Sequence, residues 1–287
     1  MASSSSAKKR KNKVVFDGSK FVSEEAQTRY YESFSVRTLI AERGLTVTSM
    51  GYPGISSVIR ARGWGEFCAQ PKLDVVPVVR EFYANAPEHD NRKVFVRGKQ
   101  VNFSGKAINK FFKLPDIEKD GYTEFISRQI DYEEILQEIA VPGTKWKLTD
   151  DKPINLPSIG LTKECKAWYY FVGARLMPIQ HFSDITKDKA IILYCLVTGK
   201  SLDVGRFISS HIVQCYKHQS MSLFYPSLIT ALCVAAAVQY GANEESLAPM
   251  ASLRDNKVYG MKGVDRINPA VQSSQPRSRS SKPLTMA

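Results

Sequence analysis

His211, Cys215 and His218 are the residues whose types and spacing come nearest to metal chemistry, because on a helix intervals of four and three residues place all three on one face. A structural zinc site closes with four such ligands. No fourth ligand is identified by spacing, although Cys195 would come near if its helix paired with this one. The neighbours Ile208, Ile212, Val213 and Tyr216 indicate packing instead, so neither a metal nor any other cofactor is expected.

The other catalytic patterns fare no better. Glu133, Glu134 and Glu138 invite comparison with metal-dependent nucleases, but three carboxylates at these intervals are also how a solvated helix face reads. There is no glycine-rich phosphate loop, no short Cys/His zinc knuckle and no supported Ser-His-Asp or Cys-His set. No catalytic residue is assigned and no enzyme is expected. Arg175 and Arg206, inside apolar helical stretches, are expected to pair with buried carboxylates.

Basic residues offer a different chemistry, the neutralisation of phosphate. The net charge is +12, of which residues 1–13 contribute +5 and residues 253–287 another +5, leaving +2 for residues 14–252. Lys8, Lys9, Arg10, Lys11 and Lys13 form an arm with the composition of a nuclear localisation signal or a phosphate-binding tail. Within the nearly neutral middle, residues 92–115 carry seven basic groups and no acidic one, and Arg92, Lys93, Arg97 and Lys99 lead that block. Residues 116–151 carry ten acidic groups against four basic, so the two segments could equally screen one another. The expected partners are nucleic acid, contacted non-specifically, or other proteins.

Five cysteines without CxxC spacing point to a reducing, intracellular setting, and the basic arm to the nucleus. The longest apolar run, residues 231–238, falls well short of the ~18 residues of a membrane span. No membrane partner is expected.

The elements that would position these residues are read from periodicity and caps. Ser23 caps a helix expected to run to Gly44 as its C′ residue. Val75, Val76, Val79, Phe82 and Tyr83 define an amphipathic helix ending near Asn85 and Pro87. Val94–Val96 and Val101–Phe103 flank Arg97-Gly98-Lys99, a hairpin signal, and Ser104 caps a helix stopped by Pro115. Asp131 caps the next, and Pro142, Gly143, Pro153 and Pro157 mark an extended linker or edge strand. Four helices then follow with short joints, opening near Thr162, Thr186, Asp203 and either Ser222 or Pro226, which implies an antiparallel bundle.

The phrases VVREFYAN, VFVRGKQVNFSGKAINKFFKLP and AWYYFVGARLMPIQHFSDITKDKAIILYCLVTGKSLDVGRFISSHI resemble, in this order, a family of plant transposon proteins found in or beside retrotransposon reading frames. The resemblance covers roughly residues 30–240. It implies origin in a transposable element and carries over no functional residue.

The expected fold class is mainly α, a multi-helix globular domain with a small β-hairpin near 94–103 and an antiparallel helical C-terminal half. The expected organisation is a disordered basic tail (1–20), a helical subdomain (21–140), a Pro-rich linker (141–160), a helical bundle sharing the core (161–242) and a disordered Ser/Pro/Arg-rich tail (243–287). The expected function is that of a transposable-element-derived, non-enzymatic protein contacting nucleic acid through its basic tails. A gag-like self-assembly or protein-interaction module is the alternative, and an element-derived nuclease or transposase a further one.

Overall fold

The computed structural model describes residues 15–46, 53–218 and 221–254. The basic arm Lys8–Lys13 and the Ser/Pro/Arg-rich stretch after residue 254 lie outside the described residues.

Helices are α1 (Glu24–Arg29), α2 (Pro53–Ala61), α3 (Gly65–Cys68), α4 (Val76–Asn85), α5 (Gly105–Phe111), α6 (Gly121–Ile126), α7 (Tyr132–Ile139), α8 (Lys163–Phe171), α9 (Lys187–Val197), α10 (Val204–Lys217) and α11 (Pro226–Ala235). Strands are β1 (Leu39–Ile40), β2 (Arg43–Thr46), β3 (Asp74–Val75), β4 (Lys93–Val96), β5 (Lys99–Asn102), β6 (Lys147–Thr149), β7 (Lys152–Pro157), β8 (Asp184–Thr186), β9 (Leu223–Phe224), β10 (Ser246–Leu247) and β11 (Met250–Arg254). Side-chain oxygens of Ser23, Ser104, Asp131, Thr162 and Asp203 accept backbone N–H groups at the starts of α1, α5, α7, α8 and α10.

The expectation of a mainly helical protein with one hairpin is corrected. Of the described residues, 47% are helical and 17% strand, and among them the strands form five small sheets, a mixed α/β architecture. The hairpin forms as expected from β4 and β5. The others are the parallel pairs β1·β9 and β2·β11, the antiparallel pair β3·β10, and the antiparallel three-stranded sheet β6-β7-β8. The four C-terminal helices do not form an antiparallel bundle of their own: α8 packs on α9, but α9 also lies on α7, α10 on α5 and α11 on α4. The reason is that α9 and the first turns of α11 are apolar on nearly every side, so each is covered by elements from elsewhere in the chain.

The long first helix is also shortened. α1 ends at Arg29, a π-helical turn spans Tyr30–Phe34, and the chain then extends into β1 and β2. Arg37 is what draws the chain off the helical path, since its guanidinium donates to the carbonyls of Cys215, His218 and Met221 beyond the end of α10. Gly44 serves inside β2 instead of as a helix cap, where a Cβ would come within 2.8 Å of the Gln70 backbone.

One continuous apolar core runs from Phe21 to Leu253. Two charged centres sit against it. Glu42, 3% exposed, accepts the Ser227 and Leu228 amides at the start of α11, at 3.1 and 2.9 Å. Burial holds its carboxyl above the usual range, opposed by the positive charge of Arg175. Arg175 lies 4.8 Å over the Phe67 ring and 5.6 Å over Phe112, and its Nε and Nη1 have no hydrogen-bond partner. Nearby, fully buried Asp74 accepts the Leu247 amide at 3.2 Å through Oδ1, while its Oδ2 is unpartnered. The segment 243–254, assigned by sequence to a disordered tail, is thus tied down through β10 and β11.

Candidate functional site

The hairpin and α5 form one unit, and its basic residues divide by type. Arg97, at the hairpin tip with φ +46°, spends all five of its N–H donors inside the protein. Nε and Nη2 bond Glu81 at 2.7 and 2.8 Å, Nη1 and Nη2 bond Glu244 at 2.7 and 2.8 Å, and Nη1 also reaches the Gln239 carbonyl at 3.2 Å. These bonds hold its guanidinium above even the usual arginine range and hold Glu244 below the usual carboxylate range. Arg92 is half-buried with its guanidinium 5.7 Å over the Phe103 ring. Neither arginine is presented to solvent as a fork.

The lysines behave otherwise. Lys93, Lys99, Lys106, Lys110 and Lys113 are exposed, and among the described residues only Lys113 has a carboxylate partner, Glu66 at 3.6 Å. Lys106 and Lys110 are one turn apart on α5. The start of α5 is pressed onto the start of α10, where a Cβ on Gly205 would fall 2.2 Å from the Gly105 carbonyl oxygen. Asn109 locks the crossing by accepting the Gly205 amide at 2.8 Å and donating to Asp203 at 2.8 Å. Arg206, expected to pair with a buried carboxylate, is exposed beside this crossing.

The structure gives His211, Cys215 and His218 separate partners. His211, 4% exposed, donates from Nδ1 to the Tyr225 hydroxyl at 2.6 Å, which donates in turn to the Leu176 carbonyl at 2.6 Å. Burial, with the charge of Lys189 adding to it, pushes the imidazole down to about 4, so it is neutral near pH 7. Tyr225 holds a left-handed backbone with φ +57°, a conformation costing about 1–3 kcal/mol that these two bonds help to fix. Cys215 is fully buried beside Tyr83, and burial pushes its thiol up to about 11, far from the thiolate that zinc binds. His218 is exposed and lends its carbonyl to Arg37. Among the described residues no group of three His, Cys, Asp or Glu side chains is arranged to hold a metal ion. On α7, Glu133 is exposed and Glu134 accepts the Tyr194 hydroxyl.

What the sequence did not bring together is a cleft of about 460 Å³ between α6, α9 and α10. Its apolar lining comprises Ile126, Ile130, Ile191 and Ile192, and the lining residues Tyr122 and Phe207 meet edge to face at 5.3 Å. Exposed Asp188 and Arg206, half-buried Asp120 and buried His211 complete the lining. Burial and the adjacent Asp188 charge hold the Tyr122 phenol up, while burial holds the neighbouring Lys189 amine down against the pull of Asp188. The only signal in the sequence was the spacing of Arg206, Ser210 and Gln214, one stripe of α10.

Three comparisons bear on origin. The family model described as Putative plant retrotransposon-related domain matches residues 60–239, from within α2 to just past α11. Neither the curated proteins nor the solved structures yield a match. Since the matched stretch covers more than half of the 287 residues and contains the hairpin, α5 and the cleft, the chain belongs to the plant retrotransposon-related family.

Proposed function

We propose that this retrotransposon-derived protein is a non-enzymatic factor of the nucleus that holds nucleic acid by its phosphates. The lysines of the hairpin and α5 would act with the arm residues Lys8, Lys9, Arg10, Lys11 and Lys13. The observation that supports this reading is the division of labour within residues 92–115. The forked guanidinium of Arg97 is consumed internally, whereas Lys93, Lys99, Lys106 and Lys110 have no carboxylate partner among the described residues. Ammonium groups are point charges that neutralise phosphate without the bidentate geometry that reads guanine, so binding should be strong at low salt and indifferent to sequence.

The test is a salt titration of duplex binding by fluorescence anisotropy. Each neutralised phosphate contributes about −0.9 to the slope of log affinity against log salt. The Lys106→Glu/Lys110→Glu double variant should flatten that slope by about 2 and weaken binding at least about tenfold at low salt. A double variant that binds as tightly as the parent, or parental binding that ignores salt, would overturn the proposal. Deletion of residues 1–13 in parallel apportions the arm's share.

A further inference from the structure

We infer that the cleft between α6, α9 and α10 receives one unpaired nucleobase from a single strand whose phosphates lie along Arg206 and the α5 lysines. The strand path rests on the reading above; the base pocket stands on its own geometry.

His211 defines the pocket's chemistry. The Tyr225 hydroxyl gives its proton to the Leu176 carbonyl, so Nδ1 of His211 must be the donor in the bond between them. Nε2 therefore carries a lone pair and can only accept. No hydrogen bond to it is formed among the described residues, and His211, 4% exposed as a residue, is one of those that line the cleft. An acceptor lining a cleft of mixed apolar and polar walls suits a ligand that brings an N–H or O–H donor on a lean body.

The rest of the lining narrows the class. The carboxylates of Asp120 and Asp188 in the lining accept further donors, although Asp120 is partly engaged by the Thr123 hydroxyl at 2.6 Å and the Asp203 amide at 3.3 Å. An anionic ligand would meet two carboxylates and a lone pair. A simple ammonium would meet Arg206 in the lining and Lys189 near His211. A neutral, planar ring carrying ring N–H or exocyclic amino donors fits both constraints, and Tyr122 and Phe207 offer it aromatic contact. Nucleobases are this class. Arg206 connects the pocket to the lysines, because a Cβ on Gly105, the residue before Lys106, would lie 2.8 Å from the Arg206 amide nitrogen.

The experiment uses the full chain and free nucleosides, which carry no phosphate. Saturation-transfer NMR at about 1 mM of adenosine, guanosine, cytidine and thymidine should show transfer to the base protons of at least one. Ser210→Trp, which places an indole in the cleft from an exposed α10 position, should abolish it; Gln214→Trp serves if the first variant fails to fold by circular dichroism. In a second arm, an oligonucleotide should bind the parent protein about tenfold more tightly than a strand of equal phosphate count lacking its bases. Absence of transfer from every nucleoside, transfer that survives a folded blocking variant, or measurable but equal binding of the two strands overturns the base pocket even if duplex DNA is bound. Nucleoside transfer with no binding of any polymer supports the pocket and removes the lysine-face reading instead.

Discussion

Arg97 and Arg175 both join the family-matched stretch to a segment outside it, yet they are solvated in opposite ways. Arg97 sits at the half-exposed hairpin tip, forked between Glu81 and Glu244 with every donor engaged. Arg175 is buried against Phe67 and Phe112, with two nitrogens unpartnered, and Glu42, the carboxylate whose charge acts on it, gives both oxygens to the amides of α11. The comparison teaches that a guanidinium near the surface can be fully satisfied by geometry. In the interior it is held by rings and by a charge that never touches it. Burial accordingly lowers the proton affinity of Arg175, while its carboxylate bonds raise that of Arg97.

Glu42→Ala removes the compensating charge and uncaps two amides at once, so equilibrium denaturation should show a loss of about 3–5 kcal/mol. A loss below about 1 kcal/mol would mean that Arg175 needs no carboxylate. Arg97→Ala strands the Glu81 carboxylate, whose side chain is 2% exposed, and should cost about 2–3 kcal/mol. Arg97→Lys should recover less than half of that, because an ammonium cannot fork between two carboxylates.

Asp74 extends the comparison to a buried acid. Burial holds its carboxyl up to about 6 against an ordinary 3.8, so the folded protein keeps a proton that the unfolded chain gives up between those values. The stability contributed by protonated Asp74 is therefore full below pH 3.8 and is lost as pH rises through about 6. Asp74→Asn should raise stability by about 1–3 kcal/mol near neutral pH, an advantage that fades by about pH 4. His211 has the opposite sign: its imidazole, held down to about 4 against 6.5, contributes stability that is full above 6.5 and lost as pH falls through about 4. Unfolding midpoints of the parent and D74N across this range separate the two. At the small end, Lys106→Glu should change stability by no more than about 0.5 kcal/mol, since its ammonium touches no carboxylate.

Helices were legible in the sequence wherever a capping side chain and a periodic apolar face coincided, as at Ser104, Asp131, Thr162 and Asp203. The hairpin was legible because its partners are adjacent in sequence. The other sheets were not. β1, β3, β9 and β10 are two residues long, too short for alternation to register, and Leu39 finds Leu223 while Asp74 finds Leu247. Thr186 illustrates the limit, standing at the start of α9 without a side-chain cap bond while also closing β8. Of the candidate sites, the exposed lysines could be read from composition, but the engagement of Arg97 could not, because Glu81 and Glu244 lie 16 and 147 residues away. The cleft was hidden for the same reason, being assembled from three helices separated in sequence.

The pairing of β2 with β11 has a temporal consequence. Arg43 and Met250 lie 207 residues apart, and Gln70 bridges to Met250 as well, so the N-terminal strand has no neighbour to zip onto until nearly the whole chain has left the ribosome. Closure over so long an interval is slow, and a nascent chain halted before residue 250 should stay protease-sensitive around residues 43–46 however well its helices have already packed.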